Sequence, residues 1–133
     1  MTSATAHLPP TRILPLDAIP AEFRGGAVAI GNFDGVHRGH QALLEAARSE
    51  GSARLAPALL LTFEPHPRSF FRPDEPTFRL TTIEAKARLA AAFGLDGIVV
   101  APFDHAFAQT TASEFVDRIL VGQLGIAAAI IGH

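Results

Sequence analysis

Residues 27–40 read Ala27-Val28-Ala29-Ile30-Gly31-Asn32-Phe33-Asp34-Gly35-Val36-His37-Arg38-Gly39-His40, and the fold turns on how this stretch is parsed. Four apolar residues ending at a glycine suit a short strand buried on both faces. A loop carrying Gly31, Gly35 and Gly39 follows. Beyond it, residues 41–49 place Leu43, Leu44, Ala46 and Ala47 at spacings that suit one helical face, with Gly51 as the expected stop. A strand, a glycine-bearing loop and a helix make half of an α/β unit.

The pattern recurs downstream. Residues 58–63, 98–100 and 127–131 are further apolar runs of strand length. Thr81 with Glu84, and Thr111 with Glu114, have the spacing of capping boxes at helix starts. The first precedes Ala87, Leu89, Ala90 and Phe93, with Gly94 as the stop; the second precedes Phe115, Val116, Ile119 and Leu120. Strands apolar on both faces, alternating with amphipathic helices, predict a doubly wound α/β fold: a Rossmann-like parallel sheet in βαβαβαβ order, with right-handed crossovers. Residues 1–25 read as a lead-in, in which Thr11 to Leu14 add a short edge strand before Pro15; residues 26–133 form the domain proper.

Bulk properties narrow the classes of function. With 133 residues the chain suits one domain, able to bury roughly two-thirds of its unfolded surface. It is 48% hydrophobic and 18% charged, which argues against disorder. A formal net charge of −2 and no run of Lys or Arg argue against nucleic acid or an acidic membrane as partner. Without cysteine there is no disulfide, thiolate nucleophile or Cys-based metal site. The first ten residues lack the basic and apolar regions of a signal peptide, and no apolar run approaches a bilayer span. The expectation is a cytoplasmic protein.

In a doubly wound sheet, ligands bind at the carboxyl ends of the strands. Three segments follow strands directly: the glycine and histidine loop, Pro65-His66-Pro67, and Gly132-His133. Glycines let the backbone approach a ligand, and the helix behind them offers unpaired N–H groups and a positive dipole end to phosphate. His37 and His40, three apart, share a helical face and are placed to donate to one anionic group. No Gly-Lys-Ser/Thr ending is present, so this is not a P-loop, and the spacing does not fit G-x-G-x-x-G. The plainer alternative is a tight turn with solvated histidines. A cation site from Asp34, His37 and His40 is a further reading. In the second segment two prolines restrict the direction of His66, while Phe63, Phe70 and Phe71 offer an apolar wall to an aromatic ligand; the plain alternative is a rigid loop over the core. Adjacent Asp104 and His105 are read as structural, and Asp74 and Glu75 as solvated loop charges.

The string from Gly31 to His40 resembles the signature of H-x-G-H nucleotidyltransferases, and within them the bacterial FAD synthetases. The resemblance continues through Leu61-Thr62-Phe63-Glu64-Pro65-His66-Pro67, Arg79-Leu80-Thr81, Gly94-Leu95-Asp96, Phe103-Asp104, Phe115-Val116 and Leu124-Gly125. It implies an FMN adenylyltransferase, making FAD and pyrophosphate from ATP and FMN with Mg²⁺ on the phosphates; the metal's protein ligands are not identified. It implies that His37 and His40 stabilise phosphate charge, and that Gly31, Asn32, Phe33, Asp34, Gly39 and Gly132 lie at ATP. Phe63, Pro65, His66 and Pro67 are then expected near the flavin. Another H-x-G-H nucleotidyltransferase, or a non-catalytic nucleotide-binding module, are the rival readings.

The resembled family continues past the equivalents of Gly132 and His133 with further nucleotide-binding residues. A partial domain is therefore expected, with weak ATP binding, little turnover, and an apolar edge strand open to self-association. A riboflavin kinase domain is expected C-terminal to it in the parent chain.

Overall fold

The computed structural model describes residues 12–33, 38–64 and 82–131, with only the backbone of Arg38 and Gly39. Five parallel strands form one sheet: β1 (Arg12–Pro15), β2 (Ala27–Ile30), β3 (Ala58–Glu64), β4 (Gly97–Pro102) and β5 (Ala128–Ile131), in the spatial order β1-β4-β3-β2-β5. Helices α1 (Arg38–Arg54), α2 (Ile83–Ala92), α3 (His105–Ala108) and α4 (Ala112–Glu114) intervene, and α4 runs on into a nine-residue π-helix, Phe115–Gln123. The doubly wound reading holds. The expected edge strand is present as β1, beside β4, and runs through Pro15, which is in register with Val100.

Side chains alternate across a strand, so each strand feeds two cores. Val28, Leu59, Leu61 and Val99 point to one face and pack with Leu14, Phe23, Ile119, Leu120 and Leu124. Ala29, Leu60 and Ile98 point to the other, against Leu44 and Ala47 of α1 and Ala87 and Ala90 of α2. Burying each large aliphatic side chain is worth about 1.5–3 kcal/mol, which is what fixes the register of β2, β3 and β4. The outermost strand β5 is less covered: Ile131 is 67% exposed.

Four details differ from the sequence reading. The first helix does not stop at Gly51 but passes through it to Arg54. A Cβ at Gly51 would lie 2.9 Å from the Ala56 carbonyl oxygen and 3.1 Å from the Ala58 Cβ, so this glycine permits close packing instead. The helix ends one turn later, where Leu55 takes the left-handed conformation (φ 54°) and the Ala56 N–H bonds the Gly51 carbonyl at 2.9 Å. On the same helix Ala46 is exposed, and the buried stripe is Leu44 and Ala47.

The cap of α2 is Thr82 rather than Thr81, which lies outside the described residues; the Thr82 hydroxyl accepts from the Ala85 N–H at 3.1 Å. The last helix carries its expected capping box, with Thr111 and Glu114 bonded reciprocally at 3.1 Å, but widens into π geometry. Wider turns bring Phe115, Ile119, Leu120 and Leu124 round to one face at intervals of four to five residues. Arg24 closes the far end, its guanidinium donating to the Gly122 and Gln123 carbonyls.

Candidate functional site

Among the strands, β2, β3 and β4 succeed one another in one direction and β5 returns to the other side of β2. That reversal is the switch point at which open α/β sheets hold ligands, outside the carboxyl ends of the strands. The chain leaves β2 there as Gly31-Asn32-Phe33. A larger hollow of about 640 Å³, lined by Phe23, Gly51, Leu55, Pro57 and Asp96, opens at the amino ends of β3 and β4. It lies on the wrong side of the sheet for this architecture, and the strand-end chemistry decides between the two.

The loop after β2 is held in a strained form. Gly31 still donates to the Leu61 carbonyl at 3.0 Å, extending the ladder by one rung. The Thr62 hydroxyl then donates to the Asn32 carbonyl at 3.2 Å. Phe33 has φ 56°, a conformation that costs a non-glycine residue about 1–3 kcal/mol. Its ring is only 2% exposed, and its centroid lies 5.2 Å from that of His40 in the first turn of α1. The space at Gly31 is taken by this ring: a Cβ there would meet Phe33 Cε2 at 3.1 Å. Asn32 Oδ1 is buried with no hydrogen-bond partner among the described residues. Lys86, on α2, is 2% exposed and donates to the Thr62 hydroxyl at 3.1 Å.

Across the sheet the same edge is aromatic. Phe63 follows Thr62 and so points to the opposite face. Its ring lies 6.0 Å from Phe103, 5.4 Å from Phe107 and 6.5 Å from Phe115, while Phe107 lies 5.5 Å from Phe103 and 6.0 Å from Phe115. These spacings and tilts are the favoured ones for aromatic pairs. All four rings are half-buried, and with Ile30 and Thr111 they line a cleft of about 270 Å³. The short helix α3 that carries Phe107 is capped by Asp104, whose Oδ1 accepts from the Phe107 N–H at 2.8 Å.

Of the residues singled out in the sequence, Gly31, Asn32, Phe33, His40 and Phe63 are thus brought to one sheet edge, with the Gly39 backbone in the first turn of α1. His37, Asp34, Pro65, His66, Pro67 and Gly132 lie outside the described residues, as do Phe70, Phe71, Asp74 and Glu75. The Phe33 side chain belongs to the core. Sequence reasoning missed Phe107 and the buried Lys86. The signal for Phe107 was available: Phe103, Phe107 and Phe115 lie at one strand end and across the helix that follows. A lysine among the alanines of a helix carries no such mark. Among the described residues no three His, Asp or Glu side chains are grouped to hold a metal ion, and no helix is long and apolar enough to cross a membrane.

Fold and site together define an α/β protein with a doubly wound parallel sheet, carrying a polar loop and an aromatic cleft at the carboxyl ends of its strands. The sequence pattern of the FAD synthetase family matches residues 19–133, and the chain belongs to that family. It is 41% identical over 108 residues to the bifunctional riboflavin kinase/FMN adenylyltransferase of Escherichia coli (strain K12), covering 81% of this chain and 34% of that protein. The protein of the same name from Pseudomonas fluorescens is 41% identical over 111 residues, 84% of this chain and 35% of its own length. The chain therefore spans about a third of these relatives. A crystal structure described as a macrolide-efflux protein from Streptococcus pneumoniae superposes with a TM-score of 0.76 at 23% identity, over 91% of this chain and 48% of that one; this likeness bears on the fold alone.

Proposed function

We propose that this chain is the ATP- and flavin-binding part of an FMN adenylyltransferase. An oxygen of the FMN phosphate attacks the α-phosphorus of ATP, the bond from that phosphorus to the bridging oxygen breaks, and pyrophosphate leaves as FAD forms. The observation that carries the reading is the pairing of two unlike binding surfaces on one sheet edge. One is a helix start that a polyphosphate suits, the other a cleft that a planar ring system suits.

The first turn of α1 holds Arg38, His40 and no acidic residue. A helix start without acidic residues offers its unpaired N–H groups and positive dipole end to an anion. His40 and, by the family resemblance, His37 then donate to the phosphates as charge develops on them, and the Gly31–Asp34 and Gly39 backbone lies against ATP. The 270 Å³ cleft takes the isoalloxazine ring, with Phe63 joined by Phe103, Phe107 and Phe115; the family resemblance adds Pro65, His66 and Pro67 to the flavin contacts. Mg²⁺ accompanies ATP as a counter-ion to its phosphates; the described residues offer it no ligand set, and no step is routed through it. A riboflavin kinase domain in the same parent chain and a cytoplasmic setting go with this reading.

The test is FAD formation by the purified full-length parent protein supplied with ATP and FMN. Losing a donor to developing charge lowers kcat by about 10²–10³-fold, and His40→Ala is expected to fall in that range. A variant within about twofold of wild type would remove His40 from the mechanism. ATP binding without pyrophosphate release in the full-length protein would make this a binding module instead.

A further inference from the structure

We propose that Lys86 is a positioning residue for the phosphate side of this site, acting through Thr62 on the loop that seats Phe33 against His40. The inference rests on the adenylyltransferase reading above. The buried face of α2 is otherwise built from Ala87 and Ala90, yet Lys86 is as sealed as they are, at 2% exposure. Taking an ammonium group out of water is costly, and an apolar side chain of similar volume is often the more stable choice at such a place. Stability alone therefore does not account for a lysine here.

What the ammonium reaches is the point where the strand ladder ends. Ile30 is in register with Leu61, and the Gly31 N–H makes the last backbone rung to the Leu61 carbonyl. One residue further along β3, the Thr62 side chain takes over: it receives the Lys86 ammonium at 3.1 Å and donates its own proton to the Asn32 carbonyl at 3.2 Å. Because the lysine can only donate, it obliges the hydroxyl to turn its proton toward Asn32. A hydroxyl without that partner is free to rotate away.

The loop needs such a hold. Phe33 is left-handed without being glycine, and the buried Asn32 amide oxygen has no hydrogen-bond partner among the described residues. Both features persist only where the surroundings impose them. The imposed conformation puts the Phe33 ring 5.2 Å from the His40 ring, so that Lys86, Thr62, Asn32, Phe33 and His40 form one continuous chain of contacts. The aromatic cleft lies on the other face of the sheet and is not part of it.

The test compares Lys86→Met, Thr62→Val and the double variant in the full-length parent protein, reading ATP affinity by calorimetry and steady-state kinetics with ATP and FMN varied separately. A small misplacement of catalytic groups costs up to about a hundredfold. Each single variant is expected to lose about tenfold or more in kcat/KM for ATP, with KM for FMN within about twofold. The double variant should be no worse than the worse single, because both substitutions cut the same link. A general structural role predicts otherwise: equal losses toward ATP and FMN, or losses that add. Either result overturns the proposal, as does a Thr62→Val protein with wild-type ATP parameters. If Lys86→Met does not fold, Thr62→Val decides alone, since it removes one hydroxyl at constant shape. Wild-type protein that binds no ATP would instead remove the adenylyltransferase reading, and this inference with it.

Discussion

Thr62 and Phe63 are neighbours in β3 and serve opposite halves of the site. Thr62 points toward α2 and ends in a chain of polar contacts: a buried ammonium, a hydroxyl, a carbonyl and a left-handed phenylalanine. Phe63 points the other way, into three further rings and no hydrogen bond. The polar half depends on direction, because the hydroxyl that links the ammonium to the loop has one proton to give. The aromatic half depends on area and shape, and tolerates small shifts. One strand end thus supplies a surface suited to charge beside a surface suited to a flat apolar ring, and the pleat keeps the two apart.

The largest effect expected on the aromatic half comes from its centre. Phe107 touches Phe63, Phe103 and Phe115, so Phe107→Ala opens the cleft and loosens every wall. Stacking on an aromatic side chain is worth about 1–3 kcal/mol per ring, and FMN affinity should fall by about tenfold or more. ATP affinity should stay within about twofold. Titrating each ligand separately by calorimetry checks this, and a matching loss of ATP affinity would show that the two halves are not independent.

A smaller effect is expected one step back from the cleft. Thr111 lines it and also caps the helix that carries Phe115, its hydroxyl accepting from the Glu114 N–H. Thr111→Ala should destabilise the fold by about 1 kcal/mol, as loss of a helix cap does, with FMN binding weakened only a few-fold. Chemical denaturation gives the first quantity and titration with FMN the second. A cap loss that left FMN binding weaker than Phe107→Ala does would mean the wall, not the ring, sets affinity.

How much of this was legible in the sequence differs between the halves in the same way. The sheet was readable because Ala27 to Ile30, Ala58 to Phe63 and Ile98 to Val100 are apolar without alternation, which only a sheet covered on both faces requires. The loop to His40 could be singled out because it follows a strand, and Phe63 because it lies near the end of one, just ahead of Pro65-His66-Pro67. Lys86 was not. A lysine on a helix is almost always solvated, and only the tertiary contact with Thr62 shows otherwise. Gly51 misled for a related reason. A glycine near a helix end reads as a stop, but here it makes room for Ala56 and Ala58, and the left-handed position falls to Leu55, which has no sequence mark of a cap. Gly94, at φ 80°, is the stop that behaves as read. Local rules located the elements; contacts across the sheet decided which exceptions mattered.

The smallest effect, and the one that separates the halves by pH, concerns Glu114. Its carboxyl is held below the usual glutamate range, first by the hydrogen bond from the Thr111 backbone N–H, then by the Thr111 hydroxyl, with Arg118 adding a weak attraction. A carboxylate whose folded value is depressed adds stability above its unfolded value, and that contribution is lost as pH falls through the folded one. Glu114→Gln should therefore lower the melting temperature slightly at neutral pH and make no difference once both forms are fully protonated. The wild-type advantage should fade as pH drops below the ordinary glutamate range. The group is solvent-exposed and screened, so the shift is expected to be small. Melting curves for both proteins from neutral to acid pH check the sign. An advantage that grew on acidification would mean the capping box is not what steadies the aromatic wall. At neutral pH the substitution should leave ATP affinity unchanged, because Glu114 stands on the Phe63 side of the sheet and has no bond to the loop that Thr62 holds.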